Sequence, residues 1–328
     1  MVEQAVPGGT AIAVSPTCVE RTTPAGIEIR YSWKPHRKYE IRKGAKGPAS
    51  DIPFVKVPSV TTILDLFDKP GLPYWAQDVT IDGVMQLLNT GAIQMVQLPN
   101  RDRPVLCTPR EGGGWQVAGR DQVLEQLKAF GLDKDHVTSQ AGDRGQSVHD
   151  AFELWSKEGL KPDPSIFSEQ EHGYVEALLK FIEDVPSLEA ISWENQVASM
   201  EHQYAGRYDF RGRTNLEHEV CFRVTKTRRE YYAILPPGFG MIDLKTSKDV
   251  YFNQHRQNEG YEIASVECGY EPTVWRAVLN VQKDGKYQLV RSVAEPSDWF
   301  AALEFYRSER AMQARKTEHG GAKRGSTR

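Results

Sequence analysis

The run Met241–Ser247 (MIDLKTS) constrains the fold of this chain more than any other stretch. Apolar and charged side chains alternate in it with the period of two that is typical of a half-buried β-strand. Ile242 and Leu244 would point into the core, whereas Asp243 and Lys245 would share the opposite face. A carboxylate and an ammonium on one face suit a divalent metal and an oriented water molecule, but a surface ion pair is the commoner outcome of a lone D-x-K pair.

The charge of the chain is unevenly distributed. The formal net charge is −3 over 328 residues, which gives no overall nucleic-acid signature. Basic residues gather in the Arg30–Lys46 region and in the last fourteen residues, so we expect the first of these regions to lie beside a polyanionic partner. A chain of this length buries a substantial core, as one large domain or two smaller ones.

The spacing of the cysteines and the hydropathy of the chain indicate the cell compartment in which the protein is expected. Cys18, Cys107, Cys221 and Cys268 are too scattered for a zinc site or an iron–sulfur cluster, so we expect reduced thiols. An apolar signal core is missing from the start, and no stretch is long enough to span a bilayer. These features predict a cytoplasmic protein of a bacterial or phage-infected cell, without a membrane partner.

Sequence periodicity predicts helices first, then strands that carry acids, then a helix and a hairpin, which is an α+β order. Helices are expected after the N-cap Ser59, after the capping box that begins at Ser168, and over 74–88, 121–130, 141–158, 254–266 and 297–315. Strands are expected at 26–33, 38–42, 190–198, 206–213, 220–225, 231–235, 241–244, 273–281 and 286–292, and a polar loop at 100–114.

Three further motifs carry polar side chains of the kind that active sites use. On the predicted helix 141–158, His149 and Glu153 are four residues apart and share a face, near a glycine, Gly145, that leaves the helix start open to close approach. Gly206-Arg207-Tyr208-Asp209 places an acid on a strand after a glycine, and Gln257 and Tyr261 share a face of a later helix. Taken singly, each has an ordinary alternative: a core histidine, a turn acid, and a helix with a buried tyrosine.

Taken together, the ordered set H…GxxD…DxK(T/S)…QxxxY resembles the PD-(D/E)XK nuclease superfamily, in its RecB-like exonuclease branch. Within that branch the chain is most similar to phage-type exonucleases and mitochondrial genome maintenance exonucleases, on the segments Pro58–Leu64, Leu72-x-x-Trp75 and Arg144-Gly145-x-x-x-His149-x-x-x-Glu153. The resemblance covers about residues 57–264.

The resemblance implies a restriction-endonuclease-like core, which is a mixed central sheet flanked by helices, with a helical N-terminal region and a preceding β-hairpin. It divides the chain into a tail and basic β-hairpin (1–56), a nuclease domain (57–315) and a basic disordered tail (316–328). The nuclease domain would comprise a helical part (57–185) and a part with the catalytic sheet and helices (186–315).

The resemblance also implies roles for residues. His149, Asp209, Asp243 and the backbone carbonyl of Leu244 would bind Mg²⁺ or Mn²⁺, and Lys245 would act with the two aspartates in catalysis. Glu153 and Glu194 would support the ligands. The expected DNA contacts are Gln257, Tyr261, Arg144, Thr246, Ser247, Ser59, Thr61 and Arg207, and either Tyr74 or Trp75 could stack on a base, although helix packing is favoured for Trp75.

The implied function is a metal-dependent DNA exonuclease acting on single strands or DNA ends in recombination, repair or phage DNA processing. The alternatives are a structure-specific endonuclease of the same fold and a non-catalytic DNA-binding subunit. An ATP-binding motif is missing, so a helicase or recombination partner would be a separate chain.

Two departures from the family pattern stand out. Tyr208 replaces the usual proline before the first strand acid, and the segment 215–238 lengthens the gap between Asp209 and Asp243. We expect that segment to form an extra strand pair beside the DNA channel.

Overall fold

The computed structural model describes residues 13–15, 17–33, 37–43, 52–67, 72–99 and 101–321. The chain divides into two compact units: residues 1–67 with 147–328, and residues 68–146. This differs from the expected boundary at 56–57, because the strand Val55–Val57 crosses that boundary and pairs with Tyr39–Ile41 in the same unit. The expected helical part 57–185 is likewise shared between the two units.

In chain order the strands are β1 (Ala13–Ser15), β2 (Cys18–Thr22), β3 (Ile27–Ser32), β4 (Lys38–Lys43), β5 (Val55–Val57), β6 (Gln94–Val96), β7 (Val105–Pro109), β8 (Trp115–Val117), β9 (Glu189–Ser199), β10 (Tyr204–Thr214), β11 (His218–Val224), β12 (Glu230–Leu235), β13 (Gly238–Lys245), β14 (Trp275–Val281) and β15 (Tyr287–Arg291). The helices are α1 (Val60–Leu64), α2 (Leu72–Asn89), α3 (Arg120–Ala129), α4 (Lys134–Glu158), α5 (Glu169–Asp184), α6 (Phe252–Glu267) and α7 (Pro296–Gly321), with a 3₁₀ turn at Pro164–Ile166. Among the described helices, none combines the length and the apolar character that crossing a bilayer requires.

The central sheet of the larger unit has the strand order β15-β14-β13-β10-β9. β13 and β14 are parallel because helix α6 connects them, whereas the other neighbours are antiparallel. Apolar side chains fill both faces: Ile242 and Leu244 pack with Phe181 of α5 on one face, and Met241 packs with Tyr261 of α6 on the other. The expected α+β class and mixed central sheet are therefore confirmed at this level.

A second sheet, in the order β1-β2-β3-β4-β5, covers one of these faces. The predicted pairing of 26–33 with 38–42 is confirmed as the antiparallel pair β3–β4, and the connection around Pro35 lies outside the described residues. The pair is one part of a larger sheet because β2 and β5 extend it on both sides. Buried Ile29 and Ile41 join this sheet to α1 and α6 in one core.

The segment 215–238 contains the predicted extra strand pair. β11 and β12 form a separate two-stranded sheet, and β11 lies against β15. The backbone N–H of Cys221 donates to the Tyr287 hydroxyl at 3.3 Å, and that of Val224 donates to Gln288 Oε1 at 3.1 Å. The insertion is thus anchored at the edge of the central sheet and leaves the pairing of β10 with β13 intact.

Three predicted elements need correction. The expected loop at 100–114 contains β7, which pairs with β6 and β8 in a three-stranded sheet of the smaller unit. Helix α4 begins at Lys134 rather than 141, so Gly145 lies within the helix instead of at its start. Helix α7 continues to Gly321, beyond the expected start of a disordered tail at 316, while residues 322–328 lie outside the described residues.

Candidate metal centre

Two neighbouring strands of the central sheet bring the predicted acids together. The register of β10 with β13 sets Phe210 opposite Ile242. Because the two strands are antiparallel, the residue before Phe210 lies beside the residue after Ile242, and these residues are Asp209 and Asp243. The backbone N–H of Leu244 donates to Asp209 Oδ2 at 2.8 Å, which fixes the orientation of that carboxylate. Asp243 has only 1% of its surface exposed, so its charge lies in a region of low dielectric constant.

Lys245 Nζ lies among three oxygen atoms of this strand pair. It is 2.6 Å from Asp243 Oδ2, 3.2 Å from the carbonyl oxygen of Leu244 and 3.9 Å from Asp209 Oδ2. The ammonium shows that these oxygens converge on a position that favours a cation. The lysine side chain is 24% exposed, so the group can be reached from solvent.

Helix α4 adds an imidazole to the same cluster. His149 Nε2 is 3.2 Å from the Leu244 carbonyl oxygen and 3.9 Å from Asp209 Oδ2. The other ring nitrogen, Nδ1, is 3.9 Å from Glu194 Oε1. Val148 and Phe152, which flank His149 on α4, are buried against the central sheet and hold the helix in this position.

Glu194 on β9 completes the cluster, and no sequence motif identified it as more than a supporting residue. Its neighbours Trp193 and Asn195 pair with Phe210 and Tyr208, so Glu194 lies across from Asp209. Glu194 has a φ of 44°, in the left-handed region that non-glycine residues rarely adopt. Ligand atoms of His149, Glu194 and Asp209 lie within 4.8 Å of one another. Arg207 Nε contacts Glu194 Oε2 at 2.5 Å and offsets part of the negative charge.

Burial and mutual repulsion of the carboxylates shift their protonation. Burial raises the pKa of Glu194 to about 7; the Arg207 guanidinium opposes this shift, and Asp209 and Glu153 add to it. Burial also raises the pKa of Asp243, against the effect of Lys245, and the charge of Asp209 adds to it. Burial disfavours the charged form of Lys245, but Asp243 and Asp209 outweigh it and raise the pKa of the ammonium. A bound cation would relieve the repulsion among these acids.

Gln257 and Tyr261 are connected to Asp243 by hydrogen bonds. Gln257 Nε2 donates to Asp243 Oδ1 and to the Tyr261 hydroxyl, both at 3.0 Å. Tyr261 is only 3% exposed, and a Cβ on Gly206 would lie 2.4 Å from its ring. Tyr261 is thus buried and accepts a hydrogen bond from Gln257, which in turn contacts Asp243, whereas its expected contact with DNA stays a prediction. A glycine at position 206 thus leaves the room that the Tyr261 ring occupies.

The other predicted contact residues differ in their surroundings. Ser59 is the N-cap of α1, where its hydroxyl accepts from the Thr62 N–H at 3.0 Å, and the exposed Thr61 lies beside it at 2.9 Å between hydroxyl oxygens. Ser247 donates to the Asp249 carbonyl at 2.8 Å, and Thr246 is half-buried. Arg207 is engaged by Glu194, whereas Arg144 belongs to the smaller unit.

Glu153, the second acid expected to support the ligands, forms an ion pair with Lys157 one helical turn away. It still raises the pKa of Glu194 through its charge. In the smaller unit, Tyr74 is exposed and Trp75 is half-buried.

The expected basic surface between Arg30 and Lys46 is largely neutralised in its described part. Ion pairs join Arg30 to Glu20 at 2.6 Å, Arg42 to Glu28 at 2.6 Å and Lys38 to Glu40 at 3.3 Å. Cross-strand neighbours supply Glu20 and Glu28, whereas Glu40 lies two residues from Lys38 on the same strand. A linear charge count does not reveal the cross-strand pairs. Three of its basic side chains therefore already have carboxylate partners, and the contact of this region with a polyanion stays a prediction.

The donor set fits a hard divalent cation. Carboxylate and carbonyl oxygens of Asp209, Asp243 and Leu244 are the ligands that Mg²⁺ and Mn²⁺ prefer, and His149 supplies one nitrogen. Of the other described residues, Glu201, His202 and Glu267 also lie close enough to share an ion, but Glu267 already accepts from Ser199 at 2.5 Å. The chain matches no known protein-family profile and no curated protein.

Proposed function

We propose that this chain is a metal-dependent deoxyribonuclease that hydrolyses phosphodiester bonds with a PD-(D/E)XK-type site. The observation that carries the proposal is the convergence of Asp209, Asp243 and the Leu244 carbonyl on the Lys245 ammonium, with His149 Nε2 at 3.2 Å from the same carbonyl. Two acids, a lysine and an imidazole from three separate segments, α4, β10 and β13, meet in the order that the sequence resemblance implies. The mixed sheet flanked by helices agrees with the core expected for that superfamily.

The residues of the chain would share the chemistry as follows. Asp209, Asp243 and the Leu244 carbonyl would hold Mg²⁺ or Mn²⁺, with His149 as a nitrogen ligand in place of its present contact with the carbonyl. When bound, the cation would polarise the scissile phosphate and lower the pKa of an attacking water molecule.

Lys245 keeps its proton because the two aspartates raise its pKa, so it would act as a hydrogen-bond donor. It would orient the attacking water and offset the negative charge that develops on the phosphate oxygens. Gln257 holds Asp243 Oδ1 in place, so the ligand needs little reorganisation when substrate arrives.

Single strands or DNA ends are the favoured substrates, as in the exonuclease branch that the motifs resemble. A structure-specific endonuclease with the same site is the second candidate, and a non-catalytic DNA-binding subunit is disfavoured because the charged residues of the site are all present and in contact. Action in recombination, repair or phage DNA processing, any separate helicase partner, and a cytoplasmic location remain predictions.

The test uses the full chain with Mg²⁺ or Mn²⁺ and a linear single strand labelled at one end. We expect shortening of the strand, and a loss of rate of at least about 100-fold in Asp243→Ala and Lys245→Ala, because each removes charge stabilisation that the transition state needs. Asp249→Asn is the matched control, since this exposed acid lies in the following loop. A covalently closed single-stranded circle should survive if the enzyme is an exonuclease and be cut if it is an endonuclease. Full cleavage by either site variant would refute the assigned roles.

A further inference from the structure

Two adjacent aromatic residues are exposed where helix α6 begins. Tyr251 is the N-cap residue and is 50% exposed, and Phe252 is the first helical residue and is 77% exposed. The same helix otherwise buries much of its surface, including Tyr261 and Ala264. A phenylalanine ring left this open gains nothing from the core of the chain.

The aromatic pair begins the helix that contacts the candidate metal centre. Phe252 precedes Gln257 by five residues on α6, which is about 7.5 Å along the helix axis at a rise of 1.5 Å per residue. Gln257 Nε2 is itself 3.0 Å from Asp243 Oδ1. The start of α6 therefore lies at the end of β13 that carries the acids, where Gln254 contacts Ser247.

The turn that presents the rings is held in place by hydrogen bonds. The Tyr251 N–H donates to Gln254 Oε1 at 2.8 Å, and Gln254 Nε2 donates to Ser247 Oγ at 3.4 Å. Ser247 follows Lys245 by two residues, so a single amide side chain connects the aromatic turn to the strand end of the metal centre. The backbone of the turn that carries the rings is therefore tied to the strand end of the site.

The chemistry of this turn favours a planar, uncharged group as its ligand. Lys248 and Asp249, both exposed, offset one another, so the loop offers little net charge to a phosphate. What remains is the face of an aromatic ring, on which any nucleobase stacks regardless of its identity.

We propose, on the basis of the nuclease function above, that Phe252, assisted by Tyr251, stacks on an unpaired base of the substrate next to the scissile phosphate. Stacking of this kind requires a base that is not paired within a duplex, so the turn would select single strands or frayed ends. It would also hold the strand in register as the phosphate enters the site.

The experiment measures binding of an oligonucleotide single strand that carries the fluorescent base 2-aminopurine at one terminus, in two versions, one for each end. All proteins carry Lys245→Ala so that the strand is not consumed, and Mg²⁺ is present. We expect the fluorescence of at least one version to be quenched on binding. Phe252→Ala should remove most of the quenching and weaken binding by about 10- to 100-fold, whereas Phe252→Tyr should retain both.

Phe130→Ala is the matched control, because Phe130 is an exposed phenylalanine at the end of α3 to which no DNA contact is assigned. The proposal is overturned if Phe252→Ala binds and quenches like its parent, or if Phe130→Ala causes an equal loss. With Lys245 intact, cleavage is measured with and without Phe252→Ala. If both chains cleave DNA equally and Phe252→Ala leaves the quenching unchanged, this proposal is overturned and the nuclease function stands. If Phe252→Ala removes the quenching but the wild-type chain cleaves no DNA, the base contact is supported and the nuclease function is contradicted.

Discussion

Glu194 faces two basic side chains in the candidate metal centre, those of His149 and Arg207. One of its oxygens faces His149 Nδ1 at 3.9 Å, and the other contacts Arg207 at 2.5 Å. A carboxylate beside the outer nitrogen of a ligating imidazole selects the tautomer whose other nitrogen is free to bind metal. Its left-handed backbone directs the side chain toward the cluster at a cost of about 1–3 kcal/mol, which the surrounding sheet must offset.

Glu194→Gln should therefore weaken Mn²⁺ binding by about tenfold without unfolding the protein, because the amide keeps the shape but loses the charge that orients His149. Isothermal titration of the full chain with Mn²⁺ measures this effect. Glu153→Gln serves as the control, since Glu153 is paired with Lys157 and should change the affinity much less. Equal affinities of Glu194→Gln and wild type would remove Glu194 from the centre.

Motif residues were predictable as an ordered set, whereas their surroundings were not. The period of two placed Asp243 and Lys245 on one face, and the observed 2.6 Å contact agrees with that prediction. The burial of Tyr261 agrees with the ordinary alternative given for its motif, but a phenol on a helix face does not by itself decide between burial and a ligand contact. Glu194 owes its position to a left-handed φ and to strand pairing, neither of which a local pattern reveals.

At the scale of elements, the sheet β11–β12 is held by a small charge network. Glu230 at the start of β12 contacts Lys286 at 3.0 Å and Lys180 of α5 at 3.5 Å, and it accepts from the Tyr232 hydroxyl at 2.5 Å. The Tyr232 hydroxyl and Lys286 lower the pKa of Glu230 to about 2. These contacts connect the inserted segment to the central sheet and to the helix behind it.

Glu230→Gln should lower the free energy of unfolding by about 1 kcal/mol at neutral pH, because a charged hydrogen-bond acceptor is lost. Since the pKa is depressed in the folded state, this contribution is complete above the ordinary value of 4.5 and disappears as the pH falls toward 2. Urea unfolding at several pH values should show the difference from wild type shrinking over that window. Glu219→Gln, on the exposed edge of β11, is the control, and a pH-independent difference would contradict the ion-pair explanation.

Element type was predictable wherever the apolar period was long. The helix with a capping box at Ser168 and the hairpin around Asp284-Gly285 both occur as expected, with Glu171 Oε2 accepting from the Ser168 N–H at 3.1 Å. Short strands were missed in 94–117, because three to five residues carry too little period to distinguish them from a loop. Helix ends were also misplaced, as for α4, whose first two turns are polar.

At the scale of the whole molecule, residues from both ends of the chain build one compact unit and the segment 68–146 forms the other. Long-range packing sets this division: β5 and α1, early in the chain, share a core with α6 and α7. A linear reading of charge or composition does not show which distant segments pack together. It predicted a boundary at 56–57 and a basic surface at 30–46, where the fold instead continues one sheet and pairs its charges.

The central claim is that one cation site joins segments from helix α4, strand β10 and strand β13. Anomalous diffraction from a crystal of the full chain soaked in Mn²⁺ tests it most directly. The account predicts a peak within about 2.5 Å of Asp209, Asp243 and the Leu244 carbonyl, with His149 Nε2 turned toward it. A peak at Glu201, His202 and Glu267 instead, or the absence of any peak among the predicted ligands at saturating Mn²⁺, would contradict it.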